Sequence, residues 1–340
     1  MGRHMENVQL DQFMSSYYAK AKGVEEREAT LRAKLQDLLG TFDFPTSNHP
    51  QLLERHECNG YTRERYLFSS LEGLTIPVYV LTPKVDEVTV PFPTVVAIHG
   101  HGYGSKEIVG LREDGSEDTG EPGIHQHFAV QLVKRGLKVF APEVIGFGER
   151  MHTRDIERGS AHSCYALSTL LLASGKTLAG LRVAETRHVV DQMKEFQDVN
   201  HEQIGMMGFS GGGLVSAYAS ALDERFKATV LCGFTNTFKG SILHTNHCID
   251  NYIPSILKYG ELPDYISLIA PRPLFVESGT HDPIFPVETT REAIKHIQKT
   301  YETKGAPSAM TYDIFPGKHE ISGRYAYDWL KQSLEDIKTG

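Results

Sequence analysis

No run in this 340-residue chain approaches the roughly 20 consecutive apolar residues that a membrane-spanning helix requires; the longest candidate, LSTLLLASG at 167–175, is too short. No membrane partner is therefore expected. Basic charge is also in deficit, with 35 Lys and Arg against 43 Asp and Glu and a net charge of −8. A nucleic-acid partner would call for a basic face, so none is expected either. Cysteine is scarce. Cys58, Cys164, Cys232 and Cys248 are widely spread with no C-x-x-C pair, and they read as free buried thiols in a reducing cytoplasm. The opening MGRHMENVQL lacks the apolar core of a secretory signal. MGRH before Met5 reads as vector-derived, so residues 1–5 are set aside and a cytoplasmic protein is expected.

What is present is ordinary globular composition, 40% apolar and 23% charged, in a pattern that changes along the chain. Residues 9–40 read as two helices; the second carries Ala29, Leu31, Leu35, Leu38 and Leu39 on one side, with Gly40 as its stop. Residues 6–58 are thus expected to form a helical arm, with a homo-oligomer contact as one use for it. From about residue 59 short apolar runs alternate with helical stretches. RYLFSS and LTIPVYVLTP suggest an opening antiparallel pair; TVVAIHG, LKVFAPEV, QIGMMGFS, KATVLCGF, PLFVESGT and AMTYDIF follow. Continuous apolar runs suit strands buried on both faces. The alternation predicts an α/β domain over 59–340 with a mostly parallel sheet of about eight strands and helices on both faces. Two segments interrupt it, 104–125 and 235–265, and insertions after strands of such a sheet tend to border the ligand crevice.

Gly208-Phe209-Ser210-Gly211-Gly212 matches G-x-S-x-G between a strand run and a helical run, the setting of a nucleophile elbow. A serine at the top of so sharp a turn is strained, and side chains two residues before and after it would collide. The alternative is a helix N-cap serine after a tight turn. A serine hydroxyl needs a base, and the base an orienting acid, in the chain order Ser, Asp or Glu, His. Asp282, in the loop after PLFVESGT, is the candidate acid; Glu277 lies within that strand and is its rival, and His281 has no evident part. His319, in the loop after the last strand run, is the candidate base. The AIHGHGYGS loop (97–105) would supply one oxyanion-hole N–H, from His101 with Gly102 or Tyr103 as alternates, and Gly211 the other. Tyr103, Phe209, Glu149, Arg150 and His244 are candidate pocket residues; Glu149, Arg150 and Arg154 can also brace loops by ion pairing. His99 and His101, and His244, His247, Cys248 and Asp250, are metal-capable types. The first pair lacks acidic ligands nearby and the second set lacks a matching cluster, so no metal and no cofactor are expected.

Taken in order, HGHGYG at 99–104, GFSGG at 208–212, APRPL at 270–274 with Asp282 after it, and His319-Glu320 resemble the α/β-hydrolase superfamily over about residues 60–337. Within it the chain resembles bacterial dienelactone-hydrolase-like and acetyl xylan esterase-like serine esterases. The resemblance implies a triad of Ser210, Asp282 and His319 and hydrolysis of a small, short-acyl carboxylic ester. It departs from dienelactone hydrolases proper, which use cysteine, and from deacetylases with glutamine after the serine, where this chain has Gly211. A sugar acetyl esterase, a serine peptidase, a metallohydrolase and a non-catalytic binding protein of this fold are the alternatives. The roughly 60 residues before the strands are too few for the propeller of a prolyl-oligopeptidase.

Overall fold

A computed structural model describes residues 2–21, 28–45, 49–84 and 91–337. Its frame is a single sheet of nine strands: β1 (Gln51–Cys58), β2 (Tyr61–Ser69), β3 (Thr75–Pro83), β4 (Phe92–Ile98), β5 (Lys138–Pro142), β6 (Val199–Phe209), β7 (Phe226–Cys232), β8 (Leu274–Gly279) and β9 (Met310–Phe315). Their spatial order is β1-β2-β3-β5-β4-β6-β7-β8-β9. The pairs β1/β2, β2/β3 and β3/β5 are antiparallel and every pair from β5 to β9 is parallel.

Strand periodicity distributes the apolar runs to two cores. On β4, Val96 and Ile98 face one layer and Val95 and Ala97 the other; on β6, Ile204 and Met206 oppose Met207 and Phe209. The first layer holds helices Glu28–Leu39, Leu178–Gln192, Gly211–Leu222, Leu262–Ser267 and Val287–Thr303; the second holds Phe128–Val133 and Ala326–Glu335. Burial on both faces is why the central strands read as unbroken apolar runs.

The ninth strand corrects the sequence expectation. β1 falls inside residues 6–58, read as a helical arm, and pairs with β2 at the sheet edge. Its residues QLLERHEC are almost all exposed. With neither face buried it has no apolar alternation to betray it, and its charges discourage further strands from adding to the edge. The arm itself is two helices, Gly2–Ala21 and Glu28–Leu39. Leu31, Leu35 and Leu39 join the first core layer, whereas Ala29 is exposed. The Tyr18 hydroxyl donates to Glu261, while Leu10, Phe13, Met14 and Tyr17 are exposed. No single helix among the described residues is long and apolar enough to cross a membrane.

The topology gathers the candidate loops. β4, β6, β7, β8 and β9 are consecutive parallel strands of the sheet, so the segments after Ile98, Phe209, Gly279 and Phe315 emerge along one edge, the crevice side of such sheets.

Candidate active site

β6 ends at Phe209 and the helix Gly211–Leu222 starts at once, so Ser210 alone turns the chain. Its backbone sits at φ 54 and ψ −118, a region that costs a non-glycine residue about 1–3 kcal/mol and persists only where the surroundings hold it. They do. The Ser210 N–H donates to the Cys232 carbonyl of β7 at 2.9 Å, and the Ser210 carbonyl accepts from Leu214 N–H at 3.1 Å. The flanking glycines have a steric cause. A β-carbon at 208 would lie 2.2 Å from the Gly212 carbonyl oxygen and 2.3 Å from Ser216 Oγ, and one at 212 would lie 2.1 Å from the Ile98 carbonyl oxygen. The elbow therefore packs directly on the end of β4.

His319 Nε2 stands 2.9 Å from Ser210 Oγ, and His319 Nδ1 stands 2.7 Å from Asp282 Oδ2. The two oxygens of Asp282 have different partners. Oδ1 accepts the N–H groups of Ile284 at 2.8 Å and Phe285 at 2.9 Å, closing a turn over D-P-I-F. That leaves Oδ2 for the imidazole. The ring of His319 lies between Phe209, at 4.8 Å between centroids, and Phe285, stacked at 5.6 Å. Phe285 was not singled out in the sequence; its signal was its place in the same turn as Asp282. His281 is exposed, with Nδ1 3.0 Å from Thr280 Oγ1.

Glu277, the rival acid, is engaged elsewhere. It is buried, and its two oxygens accept the N–H groups of Ser322 at 2.8 Å and Gly323 at 2.9 Å, anchoring the segment that follows His319. Burial pushes its carboxyl up to about 7 from the ordinary 4.5, against the pull of those two donors. The sign follows from linkage: the folded state holds the proton more tightly than the unfolded chain. This contribution is intact below pH 4.5 and is lost as pH rises to about 7, a span of roughly 3 kcal/mol. Thermal melts of wild type and Glu277→Gln at pH 5 and pH 7.5 are expected to show a shallower pH dependence in the variant. Equal slopes would remove Glu277 as the cause.

The HG loop is held by acceptors beneath it. Gly100 N–H donates to His125 Nε2 at 3.0 Å, Tyr103 N–H to Glu107 Oε2 at 3.3 Å, and the Ser105 hydroxyl to Glu143 at 2.7 Å. Burial holds His125 below its ordinary value, so the neutral ring accepts through Nε2 while Nδ1 faces Glu107 at 2.8 Å. The loop thereby lies against the elbow: a β-carbon on Gly211 would stand 3.1 Å from His101 Nδ1. With the Tyr103 N–H committed within the loop, His101 and Gly102 remain its oxyanion-hole candidates. His99 offers no metal position with His101. Its Nδ1 lies 2.8 Å from the Gly100 carbonyl oxygen and its Nε2 accepts from Val144 N–H at 3.1 Å.

A cavity of about 260 Å³ opens at Ser210; its lining is part apolar, from Phe209, Ile124, Ile284 and Phe285, and part polar, from His101, Asn246, His247, Cys248 and Asn251. Both interrupting segments thus reach it, 104–125 through Ile124 and 235–265 through residues 246–251. Of the sequence candidates for the pocket, only Phe209 is there. Tyr103 and Glu149 line a neighbouring cavity of about 610 Å³. The Tyr103 hydroxyl donates to Leu111, and Glu149 pairs with Arg65 and Lys106. Arg150 forms a buried pair with Glu185 at 2.6 Å and donates to the Glu143 carbonyl, a bracing role, while Arg154 is exposed. His244 is exposed as well; beyond the turn Phe238–Ile242 it is Asn246, His247 and Cys248 that line the cavity instead. The four cysteines are free thiols: Cys164 and Cys232 are buried, and Cys58 and Cys248 are half-buried rather than buried as expected.

The sequence model of the Abhydrolase family matches residues 11–336. A Bacillus subtilis (strain 168) protein named as a hydrolase, YtaP, is 31% identical over 238 residues, covering 68% of this chain and 73% of its own. Among solved structures, a Bacteroides fragilis protein named as an acetyl xylan esterase superposes with a TM-score of 0.72 at 21% identity, covering 88% of this chain and 81% of that one. A glucuronoyl esterase from Solibacter usitatus superposes with a TM-score of 0.66 at 14% identity, covering 91% and 92%. At these identities the two structures speak for a shared fold.

Proposed function

Because the chain belongs to the Abhydrolase family and has the α/β-hydrolase fold, we propose that it is a serine carboxylic-ester hydrolase working through an acyl-enzyme on small, short-acyl esters. The observation that carries the reading is the continuous pair of hydrogen bonds from Ser210 Oγ through His319 to Asp282, at 2.9 and 2.7 Å, beneath a small cavity.

His319 Nε2 takes the proton of Ser210 as Oγ attacks the ester carbonyl carbon. Asp282 keeps the other imidazole proton on Nδ1 and stabilises the imidazolium that forms. The N–H groups of Gly211 and of His101 or Gly102 bind the tetrahedral oxyanion; in comparable sites one such donor is worth about 3 kcal/mol. The imidazolium then protonates the departing alcohol, and water repeats the sequence on the acyl-enzyme. The apolar lining residues Phe209, Ile284 and Phe285 suit a short acyl chain.

A sugar acetate is the second reading, favoured by the exposed amide of Asn246 in the cavity lining and by the fold neighbour named as an acetyl xylan esterase. A fluorophosphonate probe is expected to label one residue, Ser210, found by mass analysis of its peptide. Hydrolysis of p-nitrophenyl esters is expected to fall as the acyl chain lengthens. No label and no ester hydrolysis would sink the proposal; release of acetate from acetylated xylo-oligosaccharides faster than from simple esters would select the second reading.

A further inference from the structure

Beside the cavity, three separated parts of the chain bring together the side chains of His101, His162, Cys164 and Cys248. One ligand-type atom from each, an imidazole nitrogen or a thiol sulfur, lies within 4.8 Å of all the others. His101 comes from the HG loop, Cys164 from the first residue of the helix Cys164–Ala173 and His162 from just before it, and Cys248 from the 235–265 insertion. We propose that these four side chains form a structural zinc site that fastens the HG loop and the insertion together around the active-site cavity.

The donor set is two sulfurs and two imidazoles, one of the commonest closed zinc shells. Tetrahedral zinc with bonds of about 2.3 Å to sulfur and 2.0–2.1 Å to nitrogen needs ligand atoms about 3.3–3.8 Å apart. His101 Nε2 and Cys164 Sγ are already at 4.0 Å, so small side-chain rotations close the shell. Charge also balances. The two thiols lose their protons to solvent when the metal binds, and two thiolates neutralise the dication. Around the site, buried Arg182 pairs with buried Asp250 at 2.5 Å, a second neutral unit. Arg182 also donates to Cys164 Sγ at 3.2 Å and to the Ile145 carbonyl at 2.9 Å, and Asp250 stands 3.4 Å from both Cys164 Sγ and His101 Nε2. Arg182 is thus an outer group that orients the Cys164 ligand, while the Asp250 contacts to Cys164 Sγ and His101 Nε2 give way to the metal.

A disulfide between Cys164 and Cys248 would account for two of the four residues and leave the converging imidazoles without a purpose. With four protein ligands the shell has no open position for water, so the metal's work is mechanical. It pins His101, whose Nδ1 faces Gly211, and Cys248 in the cavity wall.

The test is metal content and spectroscopy on the whole chain, which are independent of ester hydrolysis. Protein expressed in zinc-supplemented medium and purified under reducing conditions is expected to carry about one zinc per chain. Protein stripped with a chelator and titrated with Co²⁺ is expected to develop the visible absorption of tetrahedral cobalt and a thiolate-to-cobalt charge-transfer band. His162→Ala should weaken the band, and the double variant Cys164→Ser, Cys248→Ser should abolish it. Wild type that is reduced yet holds under about a tenth of a zinc per chain and shows no cobalt band would overturn the site. So would two free thiols instead of four after denaturation without reductant, since that count reports a disulfide.

Discussion

Replacing Ser210 with alanine is expected to lower kcat on a short p-nitrophenyl ester by about 10⁴-fold or more, with the fold intact. The size of the effect follows from the geometry: removing Oγ leaves His319 with no proton to accept. What survives is whatever the oxyanion donors do for a direct attack by water. Circular dichroism and the thermal midpoint should match wild type, and fluorophosphonate labelling should vanish. Ser210→Gly sharpens the test. Glycine removes the strain of φ 54, so this variant should be as inactive as the alanine variant yet more stable by about 1 kcal/mol. Activity near wild type in either variant would mean that Ser210 is only a turn residue.

The second large effect is expected from Asp282→Asn, a fall of about 10⁴-fold in kcat with little change in KM. An asparagine cannot satisfy all three donors that the carboxylate now serves. If its oxygen replaces Oδ1, facing the N–H groups of Ile284 and Phe285, its NH₂ faces His319 Nδ1. The imidazole must then carry its proton on Nε2, the atom that has to accept from Ser210. If the amide flips, two backbone N–H groups meet an NH₂ and the turn opens. Labelling of Ser210 should become slow but not disappear, which separates this variant from Ser210→Ala. Full activity with Asn at 282 would return the acid's role to another carboxylate.

Glu277 and Asp282 show how much of a carboxylate's placement can be read from sequence. Glu277 lies within β8, whose residues are all buried, and Asp282 lies just past its end. The order of Ser210, Asp282 and His319 along the chain, each after an apolar run, is a property of sequence. So is half of the elbow: the demand for glycine at 208 is local, since a β-carbon there meets Gly212 and Ser216 of the same turn, whereas the demand at 212 comes from the end of β4. The buried strands were legible for a related reason. Two covered faces require apolar residues at every position, and such runs stand out.

Tertiary structure decided the rest. β1 escaped because an exposed edge strand places no demand on the pattern of its side chains. The pocket candidates Tyr103, Glu149, Arg150 and His244 lay near the right loops but not over Ser210, since the direction of a loop side chain depends on bonds made to distant acceptors. Tyr103 is drawn to Leu111 and Arg150 to Glu185. Phe285 shares the turn of Asp282, but its stacking on His319 is a contact between distant segments. The cluster of His101, His162, Cys164 and Cys248 marks the limit most clearly. Metal ligands are recognised in sequence when they are evenly and closely spaced. Here three segments supply them, and only the packing of the insertion against the HG loop makes them neighbours.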